Sequence, residues 1–87
     1  MLAFQLPEGK GALVMQNCRG DNITVDVIPV GIFVEMSRRT EASCTQGEPI
    51  FLDPGEYSVR ASIPGVPSLG EGGFTIEAGK VTEWTWY

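Results

Sequence analysis

The sequence contains no histidine, and its six lysine and arginine residues face eleven aspartate and glutamate residues. Histidine is the commonest general base and metal ligand, so its absence argues against acid–base catalysis and against a metal site. With a formal net charge of −5, the chain cannot assemble the basic stripe that nucleic-acid binding requires. We therefore expect neither an enzyme nor a nucleic-acid-binding protein.

Long apolar runs are also missing. The run Val27–Val34 is about ten residues short of a membrane span, so we expect no membrane insertion. Met1-Leu2-Ala3-Phe4 has neither the basic region nor the long apolar region of a signal peptide. The chain is therefore interpreted either as cytosolic or as a mature module cut from a longer secreted parent.

Cysteine is scarce, with only Cys18 and Cys44. Two thiols without histidine make a poor zinc site, and no C-x-x-C motif is present. A disulfide between them would restrict the unfolded chain by roughly 3–4 kcal/mol, a large gain for a small domain with a thin core. The alternative is two buried free thiols. A bridge would imply an oxidising compartment, which is the extracellular space, the cell surface or the periplasm.

Turn residues are abundant, since eleven glycines and six prolines are scattered along 87 residues. The pattern predicts one domain over residues 1–87, without a helix, in which short strands alternate with turns. We predict an all-β fold, a small antiparallel β-sandwich of seven or eight strands. The predicted strands are Leu2–Leu6, Ala12–Cys18, Ile23–Ile28, Ile32–Met36, Pro49–Leu52, Glu56–Ile63, Gly73–Glu77 and Val81–Tyr87. Arg38–Glu48 and Pro64–Gly73 are predicted as loops, and the last two strands as a hairpin.

The stretch LDPGEYSV, residues 52–59, has the pattern of a strand corner. Asp53 and Pro54 start a turn, Gly55 allows an unusual φ, and Tyr57 enters the next strand facing the core. The pattern D-x-G-x-Y resembles the tyrosine corner of immunoglobulin-like sandwiches, in which the hydroxyl bonds to a nearby backbone group.

A nearer resemblance is to prealbumin-like modules, including carboxypeptidase regulatory-like domains. They carry L-x-P-G-x-Y-x-V, here from Leu52 to Val59, and often close with a hairpin similar to FTIEAGKVTE, here Phe74–Glu83. The resemblance covers roughly residues 49–87. It implies a non-enzymatic part of an extracellular or cell-surface protein that acts as a spacer, an adhesion unit or a ligand-binding accessory.

Arg19-Gly20-Asp21 is the tripeptide of integrin ligands, which present it at an exposed loop tip with Arg and Asp pointing apart. Glycine, aspartate and asparagine are also ordinary hairpin-turn residues because they tolerate a positive φ. We interpret the tripeptide as a structural turn and keep the receptor motif as the alternative. We expect a positive φ at Gly20, so Gly20→Val should destabilise the domain.

Trp84-Thr85-Trp86 places two indoles on one face of a strand, about 6.5–7 Å apart. Facing inward, they would form part of the core of a small sandwich. Facing outward, Trp84 and Trp86 would form a platform for a sugar ring or a polyproline ligand. The first arrangement is the expected one, and the second stays open.

We expect a non-catalytic extracellular module that acts in structural support or in binding a protein or another ligand. One alternative is a carbohydrate-binding module that uses Trp84 and Trp86. Another is an intracellular subunit of a protein complex, if the cysteines are reduced. No cofactor is expected, and no metal, because Asp21, Asn22 and Asp26 lack the spacing of a calcium loop. The sequence leaves the oligomeric state open.

The state of the two cysteines gives the first testable prediction. Freshly purified protein, denatured without reductant, should show no thiol in an Ellman titration, and both cysteines should react after reduction. Two reactive thiols before reduction would remove the argument for an oxidising compartment.

Overall fold

The computed structural model describes residues 5–87, and within this range the chain is all-β with eight strands and no helix. The strands form two sheets that pack face to face as a small sandwich, so the predicted fold class is confirmed. Their bounds are β1 Gly11–Asn17, β2 Ile23–Ile28, β3 Ile32–Met36, β4 Thr45–Gln46, β5 Ile50–Leu52, β6 Gly55–Ile63, β7 Val66–Ile76 and β8 Val81–Trp86.

Most strand predictions agree with the structure to within one residue at each end, but the two predicted loops do not. The segment 38–48 contains the short strand β4, and β7 begins at Val66, well inside the predicted loop 64–73. Glycines and Pro67 concealed β7 because these residues usually break strands, whereas an edge strand tolerates them. The predicted strand Leu2–Leu6 falls mostly outside the described residues, and its described part, Gln5 and Leu6, is not in a strand.

The sheet that contains β1, here called the β1 sheet, has β4 and β5 along one side of β1 and β8 along the other. Asn17 pairs with Thr45 in β4, whereas Leu13 pairs with Ile50 in β5. These two registers differ by one residue, so the segment 47–49 between β4 and β5 holds one extra residue, as in a β-bulge. The opposite sheet, here called the β2 sheet, has the order β3-β2-β6-β7, and all its pairs are antiparallel.

The last two strands do not form the predicted hairpin. β7 pairs with β6 in the β2 sheet, while β8 runs parallel to β1 in the other sheet, from Ala12 opposite Val81 onward. The turn itself exists, since Lys80 N donates to Glu77 O at 3.2 Å. However, Gly79 N donates to Lys10 O at 2.9 Å and Ala12 N donates to Lys80 O at 3.0 Å. The chain leaving the turn is therefore bound by β1 and not by β7.

Gly11 allows the connection between β7 and β8 to pass close to the start of β1. A Cβ at this position would lie 2.7 Å from Ile76 Cγ2 and would also overlap the carbonyl of Glu77. Real Cβ atoms do not approach other atoms so closely, so only glycine fits here without a shift of the backbone. The parallel β1–β8 pair thus depends on a residue that has no side chain.

The core lies between the sheets and is formed by the alternate, inward-facing residues of their strands. Its buried members are Leu13, Met15, Ile23, Val25, Val27, Met36, Leu52, Val59, Ala61, Ile76 and Trp86. A row of four aromatic rings continues the core between β6, β7 and β8. The ring centroids of Tyr57 and Phe74 are 5.8 Å apart, those of Phe74 and Trp84 6.2 Å, and those of Trp84 and Trp86 5.6 Å.

The Trp84 indole lies over Gly72, which gives the second prediction. A Cβ at Gly72 would lie 2.8 Å from Trp84 Cζ2, and the ring cannot easily retreat because Phe74 and Trp86 flank it. Gly72→Ala should therefore lower the free energy of unfolding by about 1–3 kcal/mol. Urea unfolding followed by tryptophan fluorescence measures this change.

Gly70, two residues earlier on the same strand, provides the matched control. A Cβ there would meet no atom within 4 Å, and Gly70→Ala should change the free energy of unfolding by less than about 0.5 kcal/mol. Equal losses for the two variants would contradict the packing of Trp84 on Gly72.

Candidate functional site

Cys18 and Cys44 form a disulfide, so the bridge is confirmed and the alternative of two free thiols is wrong. The bridge extends the antiparallel β1–β4 ladder by one position beyond the pair of Asn17 with Thr45. The two Cα atoms are 4.4 Å apart, close to the spacing of a non-hydrogen-bonded pair in an antiparallel ladder. The disulfide therefore closes one end of the sandwich at an existing strand pair.

Asn17, the residue before the bridge, holds the loops at this end together. Its side chain is completely buried, and its Nδ2 donates to the carbonyls of Asp21 at 2.9 Å and Ser37 at 3.0 Å. Its Oδ1 accepts a hydrogen bond from Arg19 N at 2.9 Å. The amide thus joins the β1–β2 connection to the chain that leaves β3. This role of Asn17 was not predicted from the sequence, although a polar residue at an inward strand position is a usable signal.

The Arg19-Gly20-Asp21 tripeptide lies in a connection between the two sheets and not in a hairpin, because β1 and β2 belong to different sheets. Arg19 Nη2 lies 3.0 Å from Asp21 Oδ2, and Arg19 Nη1 donates to Tyr87 O at 3.0 Å. The two charged side chains are therefore paired with each other and do not point apart. This geometry favours the structural interpretation over the receptor motif.

The prediction that Gly20 has a positive φ, and is therefore important for stability, is wrong. Among residues 5–87, the glycines with positive φ are Gly9, Gly31, Gly55, Gly65 and Gly79, so Gly20 does not adopt this conformation. A Cβ at Gly20 would meet no atom within 4 Å. The expected destabilisation by Gly20→Val therefore has no basis in the structure, and the loop depends on Asn17 instead.

The segment 53–57 has the contacts of a tyrosine corner. The Tyr57 hydroxyl donates to Asp53 O at 2.7 Å, and Gly55 has a φ of 156°, within the range that favours glycine. The Asp53 carboxylate accepts a hydrogen bond from Lys10 Nζ at 2.6 Å. This ion pair is largely exposed, so we assign it little stabilisation.

Trp84 and Trp86 do not form an exposed platform. Trp86 is 8% exposed and belongs to the core, while Trp84 is half-buried against Gly72 and Phe74. The alternative in which the indoles face outward is therefore wrong for this pair. The reason is that β8 joins the β1 sheet, which turns both side chains towards the β2 sheet.

Among the described strand residues, Phe33 has the most exposed aromatic side chain, at 69%, and it was not predicted from the sequence. It lies on β3, one of the two edge strands of the β2 sheet, on the outer face opposite Asp26. Val30, in the adjacent β2–β3 turn, is 47% exposed. A signal was present in the sequence, because Phe33 stands between Ile32 and Val34, and three successive apolar residues cannot all face one side of a strand.

The outer face around Phe33 carries carboxylates whose side chains form no ion pair among the described residues. These carboxylates are Asp26 and Glu35. The Oδ1 atom of Asp26 is also buried, without a hydrogen-bond partner in residues 5–87. Arg60 lies directly across from Asp26, but its Nε is 3.3 Å from Glu71 Oε2. Beside Glu35, a shallow depression of about 400 Å³ is lined by residues that include Thr24 and Ser37.

Most of the positively charged side chains among the described residues form ion pairs within the domain. Lys10, Arg19, Arg60 and Lys80 each form an ion pair, which leaves Arg38 and Arg39 without one in residues 5–87. These two arginines line an open depression of about 680 Å³ together with Glu41, and all three are exposed. This is the arrangement expected of a solvated loop.

Comparison with family models, curated proteins and solved structures gives no match to the chain. In the described part, no group of three or more cysteine, aspartate or glutamate side chains is placed to hold a metal ion. Residues 5–87 also contain no helix that is long and apolar enough to span a membrane. The function therefore has to be inferred from the geometry of the domain.

The hydrogen bonds of Asn17 give the third prediction. Asn17→Ala leaves one backbone N–H and two backbone carbonyls without their partner, so the free energy of unfolding should fall by at least about 2 kcal/mol. Gly20→Val, in the same connection, should change it by less than about 0.5 kcal/mol. Urea unfolding of both variants under non-reducing conditions tests this, and a larger loss for Gly20→Val than for Asn17→Ala would contradict the assignment of the loop's stability to Asn17.

Proposed function

We propose that the chain is a non-catalytic β-sandwich module of a secreted or cell-surface protein and that it binds a protein partner. The observation that carries this proposal is the exposure of Phe33 on an edge strand. A large aromatic side chain that is exposed to water lacks the favourable free energy of burying its apolar surface. Aromatic residues are also enriched at the centres of protein interfaces. Val30, exposed in the adjacent turn, adds further apolar surface.

The proposed location is supported by the disulfide. Such bonds persist in oxidising compartments and are rare in the cytosol, where thiols are kept reduced. A small domain gains most from such a bond because its core is thin. The alternative of an intracellular subunit requires Cys18 and Cys44 to be reduced in the native protein, so the thiol titration separates the two locations.

The resemblance to prealbumin-like modules supports a non-enzymatic role. The corner part of that resemblance, from Leu52 to Val59, has the hydrogen bond between Tyr57 and Asp53 that such a corner makes. The other part, Phe74–Glu83, has the sequence of a hairpin but connects two different sheets. The resemblance therefore rests on the corner, Leu52–Val59.

Site-specific photo-crosslinking in the cells that make the protein tests this proposal and gives the fourth prediction. With p-benzoylphenylalanine at position 33 of the full-length protein, irradiation should give a discrete crosslinked product that contains a second protein. The same probe at Val81 is the control, because Val81 is exposed at 40% in the other sheet. Absence of a product at position 33, or equal products at both positions, would contradict an interface at β3.

A further inference from the structure

We infer that β3 is a site of strand addition, and that its partner is an extended segment with an apolar and a basic side chain on the same face. This inference rests on the proposed function and specifies the chemistry of the partner. The four edges of the sandwich, the backbone of β3 and the charges beside Phe33 each contribute to it.

The other edges of the sandwich are interrupted or engaged. The edge formed by β4 and β5 is broken by the extra residue in the segment 47–49, which includes Pro49. β7 carries Pro67, and its Thr75 carbonyl accepts a hydrogen bond from Thr82 Oγ1 of β8 at 3.2 Å. That contact brings the edges of β7 and β8 together, where the aromatic row fills the space between the sheets. β3 has no proline, lysine or bulge, three features that commonly protect edges, and Glu35 is its only charged residue.

The backbone of β3 can accept a further strand. Ile32 lies opposite Val27, whose carbonyl accepts a hydrogen bond from Gly31 N at 2.9 Å across the hairpin. In an antiparallel pair, alternate residues direct their N–H and C=O groups towards the neighbouring strand. Ile32 and Val34 therefore bond with β2, while the N–H and C=O groups of Phe33 and Glu35 face away from it. These groups are the template for strand addition.

The side chains on the outer face define the partner. Phe33 and Glu35 lie two residues apart on this face, so an added strand would place two of its own side chains directly beside them. An apolar side chain would cover Phe33. A lysine or arginine would lie beside Glu35, and its head group would enter the depression of about 400 Å³ that Glu35 and Thr24 line.

Charge argues for a basic partner and against a second copy of this chain. Asp26 and Glu35 form no side-chain ion pair among the described residues, and the chain has a net charge of −5. Two copies joined along β3 would bring their Glu35 carboxylates near each other, and β3 has no cation to offset them. A basic segment would instead meet complementary charge, which raises the association rate and fixes the register.

A peptide probe and amide hydrogen exchange test the inference. The probe is a short acetylated peptide that alternates threonine with isoleucine and lysine, and its matched control has glutamate in place of lysine. The lysine peptide should bind at least about fivefold more tightly at low salt and should lose this advantage at high salt. It should slow exchange of the Phe33 and Glu35 amides, which face away from β2, while the already bonded Ile32 and Val34 amides change little.

Two variants with the same charge change provide the control. Glu35→Lys should reverse the preference, so that the glutamate peptide binds more tightly. Glu83→Lys, on the outer face of the β1 sheet, should leave the preference for lysine unchanged.

Phe33→Thr should weaken binding of either peptide, while its urea unfolding should stay close to that of the parent because Phe33 packs outside the core.

Several results would overturn the inference. They are equal binding of the two peptides, no binding of either, protection of β7 or β8 amides in place of those of β3, and a concentration-dependent dimer that protects Phe33 and Glu35 without peptide. If photo-crosslinking at Phe33 still captured a partner while the peptides failed, the module would remain an interaction domain and only strand addition would be lost. If crosslinking at Phe33 failed as well, the proposed function would fall with it.

Discussion

The parallel pairing of β1 with β8 is the constraint on which the rest of the structure depends. It joins the first and last strands described in the chain, so almost the whole domain lies in the loop that this pairing closes. Closing such a loop costs entropy before its contacts are gained. The β2 sheet contains the local hairpins β2–β3 and β6–β7, which are cheaper to form. Pairing with β1 places β8 in the β1 sheet, where Trp86 enters the core, and it requires Gly11, which lets the connection between β7 and β8 pass.

The end of the sandwich where β1 finishes is secured by two different means. The disulfide extends the β1–β4 ladder, and Asn17 binds three backbone groups from the connections around it. A buried amide is costly unless its hydrogen bonds are made, and here both ends of the amide are engaged. The Arg19-Gly20-Asp21 tripeptide is held within this arrangement. Its charges are paired with each other, so a loop that looks like a recognition site in the sequence is part of the closure of the fold.

The edges of the two sheets differ in a way that bears on function. A bulge, prolines and the contact between β7 and β8 obstruct three of them, while β3 presents a regular edge beside an exposed phenylalanine and carboxylates whose side chains form no ion pair in residues 5–87. Unprotected edges carry a risk of aggregation, which proteins usually avoid. A partner strand would remove this risk and bury Phe33. The same features that make β3 a liability in isolation make it suitable for binding.

The sequence alone determined the fold class, most strand positions and the chemistry available. Alternation in Ile23–Ile28 and Glu56–Ile63, with turn residues between the runs, specifies short strands because side chains alternate between the two faces of a strand. Only the tertiary structure decided which strands are neighbours. FTIEAGKVTE has the local pattern of a hairpin, yet β1 binds its second half, because the choice between two partner strands depends on residues far apart in the chain. For the same reason, the exposure of Phe33 could not be predicted from the sequence, because β3 becomes an edge strand only through the pairing of all the other strands.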